Sequence, residues 1–125
     1  MGTATPQELD DFQTLLRAVL GSPELVPRLI RDSPRMLEAN CNSAETVLHW
    51  LAVEGDENGV KLLHSLGAKI PEFALIEAIQ MGHVGMVRLL VSLGARLSRY
   101  PVERVLSNPV WNLSDEQKTQ IRSLF

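Results

Sequence analysis

Three histidines and a single cysteine are the side chains of this 125-residue chain best suited to chemistry near neutral pH. An imidazole titrates there and serves as a general base or a metal ligand. Their spacing argues against both uses. His49, His64 and His83 lack the i, i+4 arrangement by which two histidines on one helix face hold zinc. Cys41 has no second cysteine, which removes an intramolecular disulfide and any cysteine-based metal site. A Cys41–His49 dyad would need one member to leave a loop and the other to leave a structural motif. No serine sits in a G-x-S-x-G elbow. The glycines track helix ends instead of forming a phosphate-cradling loop. The expectation is no catalytic residue, no metal and no cofactor, so an enzyme is not indicated.

The elements that would position any site are set by a repeat. Thr46-Val47-Leu48-His49-Trp50-Leu51-Ala52-Val53-Glu54-Gly55 is answered by Phe73-Ala74-Leu75-Ile76-Glu77-Ala78-Ile79-Gln80-Met81-Gly82. Val60-Lys61-Leu62-Leu63-His64-Ser65-Leu66-Gly67-Ala68 is answered by Val87-Arg88-Leu89-Leu90-Val91-Ser92-Leu93-Gly94-Ala95. Leu48 to Leu75, Gly55 to Gly82, Val60 to Val87 and Gly67 to Gly94 are each 27 positions apart. Tyr100 again lies 27 after Phe73. Four landmarks with one offset make the chain a tandem array, and periodicity of this kind decides fold first.

The array resembles the ankyrin repeat. Thr46-Val47-Leu48-His49 stands where that family has T-P-L-H, and Ala52 falls in its small-residue turn. Gly55-Asp56 and Gly82-His83 stand for its Gly-His, and Leu-Leu followed by Gly-Ala closes both copies. The family repeat is about 33 residues, so the copies here are about six short, clipped where the β-hairpin finger belongs. The second copy also lacks T-P-L-H as such. The resemblance implies an all-α, ankyrin-type helical repeat solenoid of about four helix pairs with degenerate terminal caps. His49 and His83 then take structural places, His49 hydrogen-bonding backbone near the helix start. His64 falls near a helix C-terminus, where positive charge is mildly favoured.

Read in order, Thr5-Pro6-Gln7-Glu8 is a capping-box helix start, with Leu9, Phe12, Leu16 and Val19 at helical spacing. Gly21 stops this helix and Ser22-Pro23-Glu24 starts another, with Leu25, Val26, Leu29 and Ile30 on its inner side. Ser33 to Leu37 forms a short turn, and the polar residues 38–45 are the best candidate for a projecting loop. Helices are expected from Thr46 to Gly55, from Asp56 or Glu57 to Ser65 or Leu66, over about 72–81 and 84–93, and from Pro101 to Ser107. Ser114-Asp115-Glu116-Gln117 is a second capping box that opens a polar terminal helix. Trp111 is expected to pack this cap. The expected organisation is one domain over residues 1–125. It divides into an N-terminal capping repeat 6–37, central repeats 38–70 and 71–97, and C-terminal capping helices 98–125.

A net charge of −3 argues against a general nucleic-acid binder, which needs basic patches to neutralise phosphate. No apolar run approaches membrane-spanning length, and the N-terminus has neither a signal-peptide nor a myristoylation pattern. Asn112-Leu113-Ser114 is a formal glycosylation sequon, expected to be idle in a cytoplasmic protein. Ankyrin arrays meet their partners on the concave side, at finger tips and first helices. The positions carried over from that resemblance are Glu45, Glu72 and Arg99 before the T-P-L-H slot, and Trp50, Glu77 and Arg104 after its histidine. Val53-Glu54 and Gln80-Met81 precede the glycines. Trp50 is either an interface anchor or a filler of the space left by a clipped finger. Glu45, Glu54, Glu72 and Glu77 form either an acidic stripe suited to a basic protein patch or a merely solvated face. The expectation is a protein–protein interaction module, monomeric or weakly dimeric, whose sharper form is a stand-alone inhibitor of the immunity or antitoxin kind. The alternative is a structural protein that self-associates through Trp50 and Met81.

Overall fold

The computed structural model describes residues 3–108 and 112–125. The expectation for Trp111 lies outside them. Eight α-helices and two short 3-10 helices follow one another, and no strand occurs among the described residues. The helices are α1 (Pro6–Gly21), α2 (Val26–Asp32), α3 (Val47–Glu54), α4 (Glu57–Ser65), α5 (Glu72–Gln80), α6 (Val84–Ser92), α7 (Val102–Leu106) and α8 (Asp115–Arg122). Both expected capping boxes form. The Thr5 hydroxyl accepts from the Glu8 amide, and the Glu8 carboxylate accepts from the Thr5 amide. Ser114 and Gln117 do the same at α8. Each box satisfies two amides that a helix N-terminus otherwise leaves without partners.

The repeat glycines end the helices for a stereochemical reason. Gly55, Gly67, Gly82 and Gly94 all have positive φ, between 73° and 104°, a region that a side chain disfavours. After α4, Gly67 N donates to His64 O and Ala68 N donates to Leu63 O. The same two bonds recur after α6, from Gly94 and Ala95, and after α5, from Gly82 and His83. This is the Schellman arrangement, which satisfies the last carbonyls of a helix and turns the chain sharply. Gly21, expected to stop α1, differs from these four: it is the last helical residue of α1 and its φ is not positive.

The chain packs as two compact units, residues 1–51 with 58–69, and residues 52–57 with 70–125. In the first unit, α1, α2 and the 3-10 helix Pro34–Glu38 pack on one another around Leu15, Val26, Ile30 and Met36. Residues 41–45 form a tight turn in place of an open finger: Ala44 N donates to Cys41 O, Cys41 N donates to Glu45 O, and Ala44 has a φ of 59°. Asn42 at the turn accepts from the Ala4 amide. Leu25 departs from expectation, being 53% exposed and not inward. It sits in the 3-10 turn Pro23–Leu25, whose tighter winding takes it off the face that carries Val26 and Ile30.

In the second unit, α5 packs on α6 and on α7, while α8 packs on α6 and on α7. First helix thus meets first helix and second meets second, around buried Leu75, Ile79, Met86, Val87, Leu90, Val105, Leu106 and Ile121. Gln117 of α8 also donates to the Gly82 carbonyl at 3.4 Å, fixing the terminal helix against the α5–α6 turn.

Candidate functional site

The 27-residue offset relates Phe73 to Tyr100 and Glu77 to Arg104; Phe73 is the second residue of α5, whereas Tyr100 immediately precedes Pro101 at the entry to α7. Pro71 and Pro101 are the N-cap residues of the two helices, both with extended backbone. A groove of about 480 Å³ lies here, lined by Phe73, Tyr100, Glu77, Gln80, Arg104 and, at its end, Asn108. Its apolar floor is Ile76 and Val105, both buried. Phe73 remains 50% exposed and Tyr100 38% exposed, unlike the leucines and isoleucines around them. Each ring carries a guanidinium: Arg99 lies 5.6 Å from the Phe73 centroid and Arg104 lies 5.3 Å from that of Tyr100. Such stacking is attractive and holds a long cation in place.

The two cations differ in what else they touch. Glu72 accepts from the amides of Ser98 and Arg99 at 2.7 and 2.9 Å and from the Ser98 hydroxyl at 2.8 Å. Its carboxylate also lies 3.8 Å from Arg99 Nε. The bonds from the Arg99 amide and then from Ser98 hold the Glu72 carboxyl below its ordinary pKa, because they favour the ionised form. Among the described residues, no carboxylate forms an ion pair with Arg104.

Sequence reasoning named ten positions, and the second unit brings three of them together: Glu77, Gln80 and Arg104 share the groove. Arg99 joins them at the rim through Phe73. Glu72 ties down a loop. Glu45, half-buried, lies 3.6 Å from Nε2 of His49, which is only 6% exposed. The His49 amide donates to the Thr46 hydroxyl, so the helix start is closed by the motif's own residues. Val53, half-buried, offers its carbonyl to His83 Nε2 at 3.0 Å, giving His83 a structural bond. Glu54 is exposed, and Trp50 and Met81 are half-buried. Phe73 and Tyr100, not singled out as binding residues from the sequence, also line this groove. Their recurrence at the 27-residue repeat interval was the available signal.

A family model described as "Ankyrin repeats (3 copies)" matches residues 14–100, and the chain belongs to that family. Its fold is accordingly the all-α ankyrin helical repeat. Ankyrin repeats are generally protein–protein interaction modules and typically non-enzymatic. No curated protein and no solved structure matches the chain significantly. Among the described residues, no helix is long and apolar enough to cross a membrane.

Proposed function

We propose that this protein is a non-enzymatic module that binds a partner protein through the first-helix and loop side of its repeats, anchored at the α5–α7 groove. The observation that carries this is the exposed pair Phe73 and Tyr100, each under an arginine at the mouth of a groove. Aromatic and arginine side chains are the usual anchors of protein interfaces. The contribution of the acidic residues is uneven. Glu72 and Glu45 already have partners within the protein, so a basic patch on the partner would be met chiefly by exposed Glu54. An inhibitor that covers another protein's surface is the sharper form of this proposal, and a net charge of −3 suits a basic partner. A cytoplasmic setting fits a chain whose one cysteine is free.

Affinity capture from the source lysate tests this. Wild type, Phe73→Ala/Tyr100→Ala and the exposed control Arg88→Ala are used side by side. A protein retained by wild type and the control and lost by the double variant is expected. A protein retained equally by all three would move binding to another surface and overturn the groove as anchor. Self-association remains the second reading, and a concentration-dependent dimer in size-exclusion chromatography would favour it.

A further inference from the structure

We infer that the α5–α7 groove receives a segment of the partner polypeptide that presents a carboxylate beside a bulky apolar side chain. The carboxylate meets Arg104 and the apolar group seats between Phe73 and Tyr100. This rests on the interaction role proposed above and specifies its chemistry. The volume of about 480 Å³ falls within the roughly 300–1,000 Å³ range of ligand pockets. Its floor, Ile76 and Val105, and its two rings give an apolar group a place to leave water.

The two arginines differ in their charge partners. Both stack on a ring, but Arg99 already has the Glu72 carboxylate beside it. Arg104 stacks on Tyr100 with no such anion among the described residues, and it lies exposed at the groove. Stacking covers a face of a guanidinium and not its N–H edge, and that planar fork matches a carboxylate in two parallel hydrogen bonds. The Glu72–Arg99 contact at 3.8 Å shows a ring-stacked arginine of this protein with a carboxylate beside it. Glu77 lines the same groove, and a carboxylate there disfavours an acid placed on its own side. It thereby fixes one orientation, acid toward Arg104. Gln80 and Asn108 supply amides that both donate and accept, as an extended backbone requires.

A phage-displayed library of random dodecapeptides, selected in parallel on wild type, Arg104→Gln, Tyr100→Ala and the control Arg88→Gln, tests this. Far-UV circular dichroism first establishes that each variant is folded. Wild type and Arg88→Gln are expected to enrich peptides with Asp or Glu within two residues of a bulky apolar residue. Arg104→Gln should lose the acid preference and keep the apolar one; Tyr100→Ala should lose the apolar one. For a synthetic peptide of the enriched type, changing its acid to the amide should weaken binding about tenfold on wild type and hardly at all on Arg104→Gln. Enriched peptides without an acid, an acid preference that survives Arg104→Gln, or no enrichment would each overturn the inference. Lysate capture that depends on Phe73 and Tyr100 would in those cases leave the interaction role standing. Failure of both experiments would remove both.

Discussion

Asp11 in the first unit and Arg104 in the second are charges held in opposite ways. In the first, Arg35 Nε donates to Asp11 at 2.8 Å and Gln7 donates to its other oxygen at 2.9 Å, so the one buried carboxylate of α1 is fully answered from nearby. In the second, Arg104 is held on a ring with no carboxylate answering it among the described residues, beside a groove with an apolar floor. A charge answered within the fold contributes to holding that fold. A charge held in place but left unanswered is available to a ligand, and holding it beforehand lowers the entropic cost of binding.

The largest expected effect should not distinguish the units, which makes it a control. Leu15→Ala and Leu75→Ala, both at fully buried positions, should each cost about 2–5 kcal/mol in urea unfolding. A much smaller loss in one unit would show that its core is loosely packed and weaken any contrast drawn from its surface. Glycine substitution comes next and should separate the regions by sign. Gly82→Ala forces a side chain into positive φ and should cost about 1–2 kcal/mol. Gly21→Ala, helical and with open space around it, should gain about 0.4–1 kcal/mol. A loss at Gly21 would mean that the N-terminal pair keeps the regular repeat turn after all.

Acid sensitivity sharpens the contrast further. The Asp11 carboxyl is held below its ordinary pKa chiefly by the Arg35 hydrogen bond, helped by Gln7 and opposed by burial. A depressed folded-state pKa adds stability that is complete above the unfolded carboxyl range, near about pH 4, and is lost as pH falls through the folded value. Asp11→Asn should therefore flatten the decline in stability below about pH 4 while lowering stability at neutral pH. Glu72→Gln should act in the same direction, because its lowered pKa comes from bonds that need the carboxylate. An unchanged acid limb in either variant would show that the pair is not coupled to folding.

The smallest stability effect carries the functional claim. Arg35→Gln should lower the urea midpoint, since it leaves Asp11 buried without its main donor. Arg104→Gln should change stability by no more than about 0.5 kcal/mol, as expected of an exposed side chain. A large loss from Arg104→Gln would make it a structural residue and dissolve the comparison.

Most of the helices were legible because their signals are local. Thr5 and Ser114 each lie three residues before a carboxylate or amide that can reach back, and the cap needs nothing further. The 27-residue interval fixed the helix pairs, and positive φ at Gly55, Gly67, Gly82 and Gly94 follows from what a residue without a side chain is used for. Leu25 was misjudged because period counting assumes α-helical winding, and the chain there winds more tightly. The direction in which Glu72 turns was illegible for a different reason. Whether Glu72 faces a partner or a neighbouring loop depends on Ser98 and Arg99, a full repeat away.

The sequence by itself determined a tandem helical array, its capping boxes, the glycine turns of its central repeats and the structural place of His83, since each is encoded by residues a few positions apart or by a constant interval. Only the tertiary structure decided which polar groups remain free and which aromatics remain exposed. Burial and partnering are sums over neighbours distant in the chain, and only the packing of α5 against α7 puts Phe73, Tyr100 and Arg104 around one groove.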